Sequence, residues 1–303
     1  MNLNENKKSK QTIGLLCVLT STTMYALMPV ISKLGYAAGL NQYSLLVGRF
    51  MAAVAMYILI ILAKRESAKV TPGQFGQLML MSAISLSSVI FYFTSVNYLP
   101  AGMASLFNTT YVIFVVLIEM ILRITKAEKY KFIVLGMAFI GIVIILWTPE
   151  GAVGISTKGM TLGLIGAFCY AVHIFVFNGK NLRELPLEVV FLYVITPALI
   201  VYPIMGKLAG LPILPVGLEQ WGYAILLSVL TSYVAMVAFY TAVRLIGAGN
   251  SALIGTLEPF FACIFGAIFM NEVLTGRSAA GGLCIIGAIF ILNFIENKRQ
   301  SQK

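Results

Sequence analysis

The chain has 303 residues, of which 59% are hydrophobic and 11% charged, and its net charge is +10. A soluble protein carries about a quarter charged residues, so a water-exposed globule is excluded and lipid is the expected solvent. Asp is absent and His173 is the single histidine, which removes most routes to metal binding and phosphoryl transfer; neither a metal nor a cofactor is expected.

Met1 to Lys10 is polar and basic, and the apolar run that follows from Thr12 carries no Ala-x-Ala-like cleavage site. It reads as a first membrane span, not a removed signal. A helix needs about 20 apolar residues to cross a bilayer. Runs of that kind lie at 12–34, 43–63, 74–96, 101–122, 131–147, 159–179, 188–206, 220–243, 249–270 and 278–295. They predict an all-α integral membrane protein of ten transmembrane helices. A barrel would need alternation, which these runs lack. The gaps are too short for a soluble domain.

With the N-terminus inside, sixteen Lys and Arg fall on the inner side, against Lys33, Lys158, Lys207 and Arg277 outside. Inner loops carry the excess of cations, so both termini are expected on the cytoplasmic side of the plasma membrane. The cations sit in short gaps and build no compact basic surface, so nucleic acid is not an expected partner. Cys17, Cys169, Cys263 and Cys284 lie inside apolar runs, without metal-ligand spacing, and read as packing residues.

The chain echoes itself. Thr94 to Gly102 returns 147 positions later as Thr241 to Gly249, and the echo runs on through Leu106/Leu253, Thr109/Thr256 and Phe114/Phe261. After one deletion it resumes as Gly136/Gly282, Gly141/Gly287 and Leu146/Leu292. Five spans is an odd number, so two such halves must face opposite ways. The gaps after spans 2 and 4 hold three and four cations, whereas those after spans 7 and 9 hold Lys207 and Arg277. Charge follows membrane side and not the repeat, as a 5+5 inverted repeat requires. The expected organisation is a cytoplasmic tail (1–11), a first five-helix unit (12–147), an external linker (148–158), a second unit (159–295) and a cytoplasmic tail (296–303).

Ionisable groups inside spans face protein or water. Glu258 is the deepest acid, midway along span 9, and shares a face with Ser251, Gly255, Ala262 and Gly266. Pro259 removes a backbone donor and predicts a broken or bent helix beside that acid. Glu258 is either a substrate or proton site, or a structural group that satisfies exposed backbone or pairs with a cation. His173, with Tyr170 on its face, either carries protons or is a neutral histidine bonded between helices. Polar stripes occur on span 1 (Thr20, Ser21, Thr22, Thr23, Tyr25), span 3 (Ser82, Ser85, Ser88, Tyr92), span 4 (Ser105, Asn108, Thr109) and span 8 (Ser228, Thr231, Ser232). Each hydroxyl alone reads as glue between helices; four stripes together predict a shared polar cavity. Lys33 and Arg49 flank the outer loop after span 1, with Arg49 within snorkelling reach of the headgroups. Glu272 and Arg277 bracket the outer loop after span 9. These groups are expected as gate or structural ion pairs, or as interface anchors. Glu119 and Arg123, four apart, read as a structural pair on the inner side.

Taken in order, Pro29-Val30-Ile31-Ser32-Lys33, Arg49-Phe50, Leu99-Pro100-Ala101-Gly102, Leu257-Glu258-Pro259 and Asn271-Glu272-Val273-Leu274-Thr275 resemble the EamA family of the drug/metabolite transporter superfamily. The resemblance covers nearly the whole chain. It implies ten helices as inverted repeats around a central cavity, and efflux of small metabolites such as amino acids. It marks Lys33, Arg49, Glu258, Pro259 and Glu272 as recurrent positions. One departure stands out: opposite Glu258-Pro259 the first half has Tyr111-Val112, and opposite Asn271-Glu272 it has Thr125-Lys126.

The leading expectation is a secondary active transporter, not an enzyme, working by alternating access on a small-molecule substrate within the lipid bilayer. No Gly-rich loop ending in Gly-Lys-Ser/Thr is present, so a substrate gradient or proton coupling would drive it. The alternatives are an integral membrane enzyme acting on lipid, or a non-transporting membrane partner. A homodimer is left open.

Overall fold

A computed structural model describes residues 3–122, 129–146, 156–177, 182, 185–246, 251, 254–255, 257–273 and 276–300. Every regular element among them is a helix. In chain order these are α1 (Leu3–Ala37), α2 (Gln42–Lys64), α3 (Pro72–Val96), α4 (Ala101–Thr109), α5 (Tyr111–Ile121), α6 (Lys129–Leu146), α7 (Thr157–Phe177), α8 (Leu187–Ile195), α9 (Ala198–Leu208), α10 (Gly217–Leu227), α11 (Ala235–Ile246), α12 (Glu258–Met270) and α13 (Gly276–Gln300). A π-helical stretch, Ser228–Val234, joins α10 to α11.

The helix starts follow local chemistry. Asn41 caps α2: its Oδ1 accepts the Tyr43 and Ser44 N–H groups at 2.8 and 3.1 Å, and its own N–H donates to Ser44 Oγ. Thr71 and Gln74 form the same reciprocal box at the start of α3. Arg65 closes α2 in the left-handed region at φ 54°.

Among the described residues, Gln11–Ala37, Gln42–Lys64, Pro72–Val96, Leu187–Leu208 and Gly217–Phe239 are long and apolar enough to cross a membrane. Ala101–Val115, Tyr130–Gly141, Glu258–Met270 and Ala279–Leu292 are apolar but shorter. Large apolar side chains cover the outside: Leu59, Leu62, Phe139 and Ile268 are each about two-thirds exposed. A monomer in water does not show so much apolar surface.

Several runs read as single spans are interrupted. The 101–122 run breaks at Thr110, where the Thr109 and Thr110 hydroxyls donate to the Ser105 and Phe107 carbonyls at 2.9 and 2.6 Å. The 188–206 run breaks at Thr196-Pro197, since Pro197 has no N–H to continue the ladder. Span 9 restarts as α12 at Glu258, with Pro259 in its first turn. The ends also differ from expectation. Helix α1 starts within the predicted tail, α7 begins at Thr157 inside the predicted linker, and α13 continues to Gln300. Arg123, and with it the Glu119–Arg123 pair, Thr125-Lys126, most of the linker, Gly247 to Gly249, Leu253, Thr256 and Leu274-Thr275 lie outside the described residues.

Packing is pairwise and balanced. Helix α1 lies against α11 and α12, and α3 against α7; α4 meets α12, α6 meets α13, and α2 contacts α8, α9 and α10. Backbones come close where glycine allows. A Cβ on Gly166 of α7 would sit 3.2 Å from both the Ser88 carbonyl oxygen and the Tyr92 nitrogen of α3. The buried core runs through Leu45, Leu46, Phe93, Phe107 and Tyr202.

Polar ties cluster at the two ends. At one end Lys33 Nζ meets Glu272 Oε1 at 2.5 Å, and Glu272 Oε2 accepts the Ala101 N–H at 2.7 Å. One carboxylate thus pairs with α1 and caps the start of α4, where a negative charge suits the helix dipole. Gln220 donates to the Ala38 carbonyl and Asn41 to the Pro212 carbonyl at the same end. At the other end Lys64 pairs with Glu188, and Tyr193 donates to the Ala68 carbonyl.

Two stability predictions follow from these contacts. Gly166→Ala lowers the unfolding temperature in detergent, whereas Gly222→Ala does not. Both gain helix propensity, but only the first meets backbone; nothing lies within 4 Å at Gly222. Lys33→Gln costs about 1–3 kcal/mol, and the exchange Lys33→Glu with Glu272→Lys does not restore it. Lysine has no acceptor for the Ala101 N–H. Unfolding temperatures of the single and double variants check this.

Candidate functional site

The centre of the bundle holds a cavity of about 290 Å³. Its wall is made by α1, α2, α3, the α4–α5 break, α7, α8, the π-helical stretch, α11 and the start of α12. Helical spacing explains who faces inward. Ser21, Tyr25 and Met28 recur on one face of α1; Ser85, Ser88 and Tyr92 do so on α3; Arg49 and Tyr57 stand two turns apart on α2.

The structure brings the predicted pathway residues Tyr25, Tyr92, Asn108, Tyr170, His173, Ser232 and Glu258 to this one cavity. Glu258 sits in the first turn of α12, beside the break, and its Oε1 accepts the Ser105 hydroxyl at 2.9 Å. Tyr170 stacks on His173 with ring centroids 5.8 Å apart, and its edge meets Tyr111 at 4.8 Å. His173 Nδ1 has no partner among the described residues. The Tyr92 hydroxyl and Ser21 Oγ likewise have none.

The polar stripes divide between lining and tying. Ser85, Asn108, Thr109, Thr231 and Ser232 line the wall. Ser82 instead donates to the Val194 carbonyl at 2.7 Å, and Thr23 bonds back to Leu19 on its own helix. Ser88 does both: it lines the cavity and donates to the Gly166 carbonyl at 2.8 Å. Thr20 faces outward and Ser228 is buried off the cavity.

Arg49 requires a correction. It does not snorkel toward headgroups; it is 8% exposed and stands in the cavity wall. Its guanidinium carbon lies 5.3 Å from the Phe50 ring centre and 5.2 Å from that of Phe93. Nε donates to Ser232 Oγ at 3.3 Å, and Nη1 reaches Met28 Sδ at 4.0 Å. No carboxylate lies within salt-bridge distance among the described residues. Arg49 stands seven residues after Gln42, which puts it about 10 Å down the helix axis, and its face of α2 turns inward. Of the other outer charges, Lys33 and Glu272 pair with each other away from the cavity.

Sequence reasoning missed Tyr57, whose hydroxyl donates to the Ser232 carbonyl at 2.5 Å. The signal was its position eight residues after Arg49, on the same helical face. It also missed the π-helical stretch, which presents Ser232 to both Arg49 and Tyr57. Such bulges recur at functional sites.

Comparison with known proteins agrees with the fold. The chain matches the EamA-like transporter family over residues 12–147 and again over 157–294. Two Archaeoglobus fulgidus proteins, each named an uncharacterized transporter, are similar to it. One is 28% identical over 203 residues, covering 66% of this chain and 69% of its own. The other is 26% identical over 261 residues, covering 83% and 88%. A Salmonella typhimurium protein named a probable amino-acid metabolite efflux pump is 24% identical over 221 residues, covering 69% and 73%. A solved crystal structure superposes with a TM-score of 0.64 at 18% identity, covering 96% of this chain and 98% of that one, so the fold is shared. The chain is a multi-pass membrane transporter and belongs to the EamA-like transporter family.

Proposed function

We propose that this chain is a secondary active transporter that exports small metabolites such as amino acids by alternating access. The observation that carries this reading is the central cavity: hydroxyls, five tyrosines, one cation and one acid converge there inside an apolar bundle. A lipid-embedded helix turns such groups inward to pair with protein or to line a polar cavity, and here many of them line one. The efflux direction is supported by the name of the Salmonella relative.

We infer a ten-span, five-plus-five inverted architecture in the plasma membrane, with both termini cytoplasmic. The packing supports it: α3 lies on α7 as α11 lies on α1, the exchange expected when the halves are related by a twofold axis in the membrane plane. In that orientation the Lys33–Glu272 end is external. The cavity wall runs from Met28 and Arg49 to Ser21 and Tyr57, about 10–12 Å further from that end. On this reading the Lys33–Glu272 tie would close the cavity on its external side, the form in which an exporter loads. Alternation would then break Lys33–Glu272 and open the α1–α4 contact.

Glu258 is the acid available to take a proton or a substrate amine. It borders the only break in α12's span that carries a carboxylate among the described residues, and Ser105 holds it in place. Wild-type protein in proteoliposomes is expected to exchange members of an amino-acid and metabolite panel in counterflow. Glu258→Gln, which keeps shape and the Ser105 contact, is expected to lower the rate about tenfold or more, the effect of losing at least 1.4 kcal/mol of interaction. Wild-type rates in the variant would remove Glu258 from the cycle.

A further inference from the structure

Span 8 holds a surplus residue relative to a continuous α-helix. It runs as α10, widens to the π-helical stretch Ser228–Val234 and leaves as α11. A π turn bonds i to i+5 where an α turn bonds i to i+4, so the stretch absorbs the extra residue. Both ends of the span are pinned. A Cβ on Gly48 of α2 would lie 2.8 Å from the Ala224 Cβ. One on Gly14 of α1 would lie 3.2 Å from the Leu245 Cβ and closer still to Ile246. With Ala224 and Ile246 seated, the surplus stays within the span and can only change place. Ala224 stands about one turn before the stretch, and Ile246 closes α11 beyond it, so the room lies on the α11 side.

A surplus that moves past a residue turns that residue by about 100° and brings the preceding residue to the place it held. The sequence supplies a fitting occupant for each place. Ser232 meets Arg49 and lines the cavity, and the residue before it, Thr231, is also a hydroxyl. Met236 and Phe239 line the cavity from α11, and the residues before them are Ala235 and Ala238, which do not line it in the present form. A second register thus keeps an oxygen for the Arg49 donor and puts two methyl groups where two large side chains stand. The present register is held from α2. Arg49 Nε donates to Ser232 Oγ at 3.3 Å, and the Tyr57 hydroxyl reaches the Ser232 carbonyl at 2.5 Å and Met236 Sδ at 3.0 Å. These holds act from a braced helix, tied through Asn41 to Pro212 and through Lys64 to Glu188.

Resting on the transporter reading above, we propose that the π-helical stretch is the moving part of span 8. Its surplus residue migrates into α11 when the cavity changes sides, and Arg49 and Tyr57 are positioning residues that hold the present register. The migration exchanges Ser232 for Thr231 at Arg49, and Met236 and Phe239 for Ala235 and Ala238 in the wall. The cavity of about 290 Å³ widens on that side while both pinned ends stay seated. Each step trades one backbone hydrogen bond for another, so the backbone remains satisfied within the bundle. The stretch touches α1, α2, α10 and α11. Helix α1 carries Lys33, which links the register of span 8 to the external tie.

The test uses full-length protein in nanodiscs, a small water-soluble methanethiosulfonate, and mass spectrometry of the labelled peptide. Ala238→Cys and Phe239→Cys should both label in the otherwise wild-type chain, since each faces the cavity in one register. Deletion of Val229, which points outward, removes the surplus and fixes the present register. Phe239→Cys should then still label, while labelling of Ala238→Cys falls at least about tenfold as the second register is lost. Tyr57→Phe keeps the ring but drops the hold on Ser232, and should speed labelling of Ala238→Cys about two- to tenfold, the worth of one hydrogen bond. An unlabelled Ala238→Cys beside a labelled Phe239→Cys overturns the proposal even if the deletion variant does not fold. Equal labelling of Ala238→Cys with and without Val229 overturns it too, and an unchanged rate in Tyr57→Phe removes the holding role. A folded deletion variant that exchanges an amino-acid and metabolite panel at the wild-type rate would show that transport does not need the migration. A wild type that exchanges nothing in that panel sinks the transport reading, while the labelling pair still decides the register.

Discussion

Hydrocarbon cannot hydrogen-bond, and everything polar in this bundle answers to that constraint. A helix that breaks in lipid must find partners for its freed backbone groups within the protein. Among the described residues four interruptions occur, at Thr110, Thr196-Pro197, Leu257 and the π-helical stretch. Each borders the cavity or supplies its lining. Their carbonyl neighbours are taken by side chains: Ser82 serves Val194, Tyr57 serves Ser232, and the Thr109 and Thr110 hydroxyls serve their own helix. The breaks and the cavity are therefore one construction. Irregular backbone makes room at mid-depth, and the polar groups that satisfy it furnish the wall.

The charges divide along the same line. Two pairs tie the ends of the bundle, Lys33 with Glu272 and Lys64 with Glu188; the second is the more exposed, so water screens it and its strength is modest. Glu272 gains more than its pair suggests, because its second oxygen caps α4. An end tie that also caps a helix couples the position of α1 to that of α4. Both helices help to wall the cavity, so the tie and the cavity are mechanically linked. Among the described residues the mid-depth charges, Arg49 and Glu258, have no such salt-bridge partner.

Much of this was legible in the chain, for identifiable reasons. Long apolar runs became helices because lipid leaves no other regular option for them. Glu258-Pro259 announced its break because proline lacks a donor. The stripes announced a cavity because four of them share the 3.6-residue period. Arg49 was misread because α2 is apolar nearly all round, and depth alone does not say which face turns inward. Thr110 carries no proline and Ser228–Val234 has no turn residue, so their departures from the α-helix are set by tertiary packing and not by local propensity. The glue and lining roles of serine were inseparable in sequence. Ser82 and Ser85 differ by less than one helical turn, yet one ties α3 to α8 and the other faces the cavity.

The echo in the sequence gains its meaning from where it fails. Tyr111 and Glu258 stand at echoed positions, and each is the first helical residue after a break. The backbone is alike and the chemistry is not. Two glutamates there would face one another across a small low-dielectric space and would have to share a proton. A tyrosine opposite a glutamate avoids that conflict and leaves one carboxylate. The cation is lopsided in the same way. Arg49 lies seven residues into α2, and the residue seven into α8 is Val194, which also lines the cavity. One half thus contributes the cation and the other the acid. The scaffold is matched twice by one family, over 12–147 and 157–294, while the charged groups that line its cavity differ between the two matches.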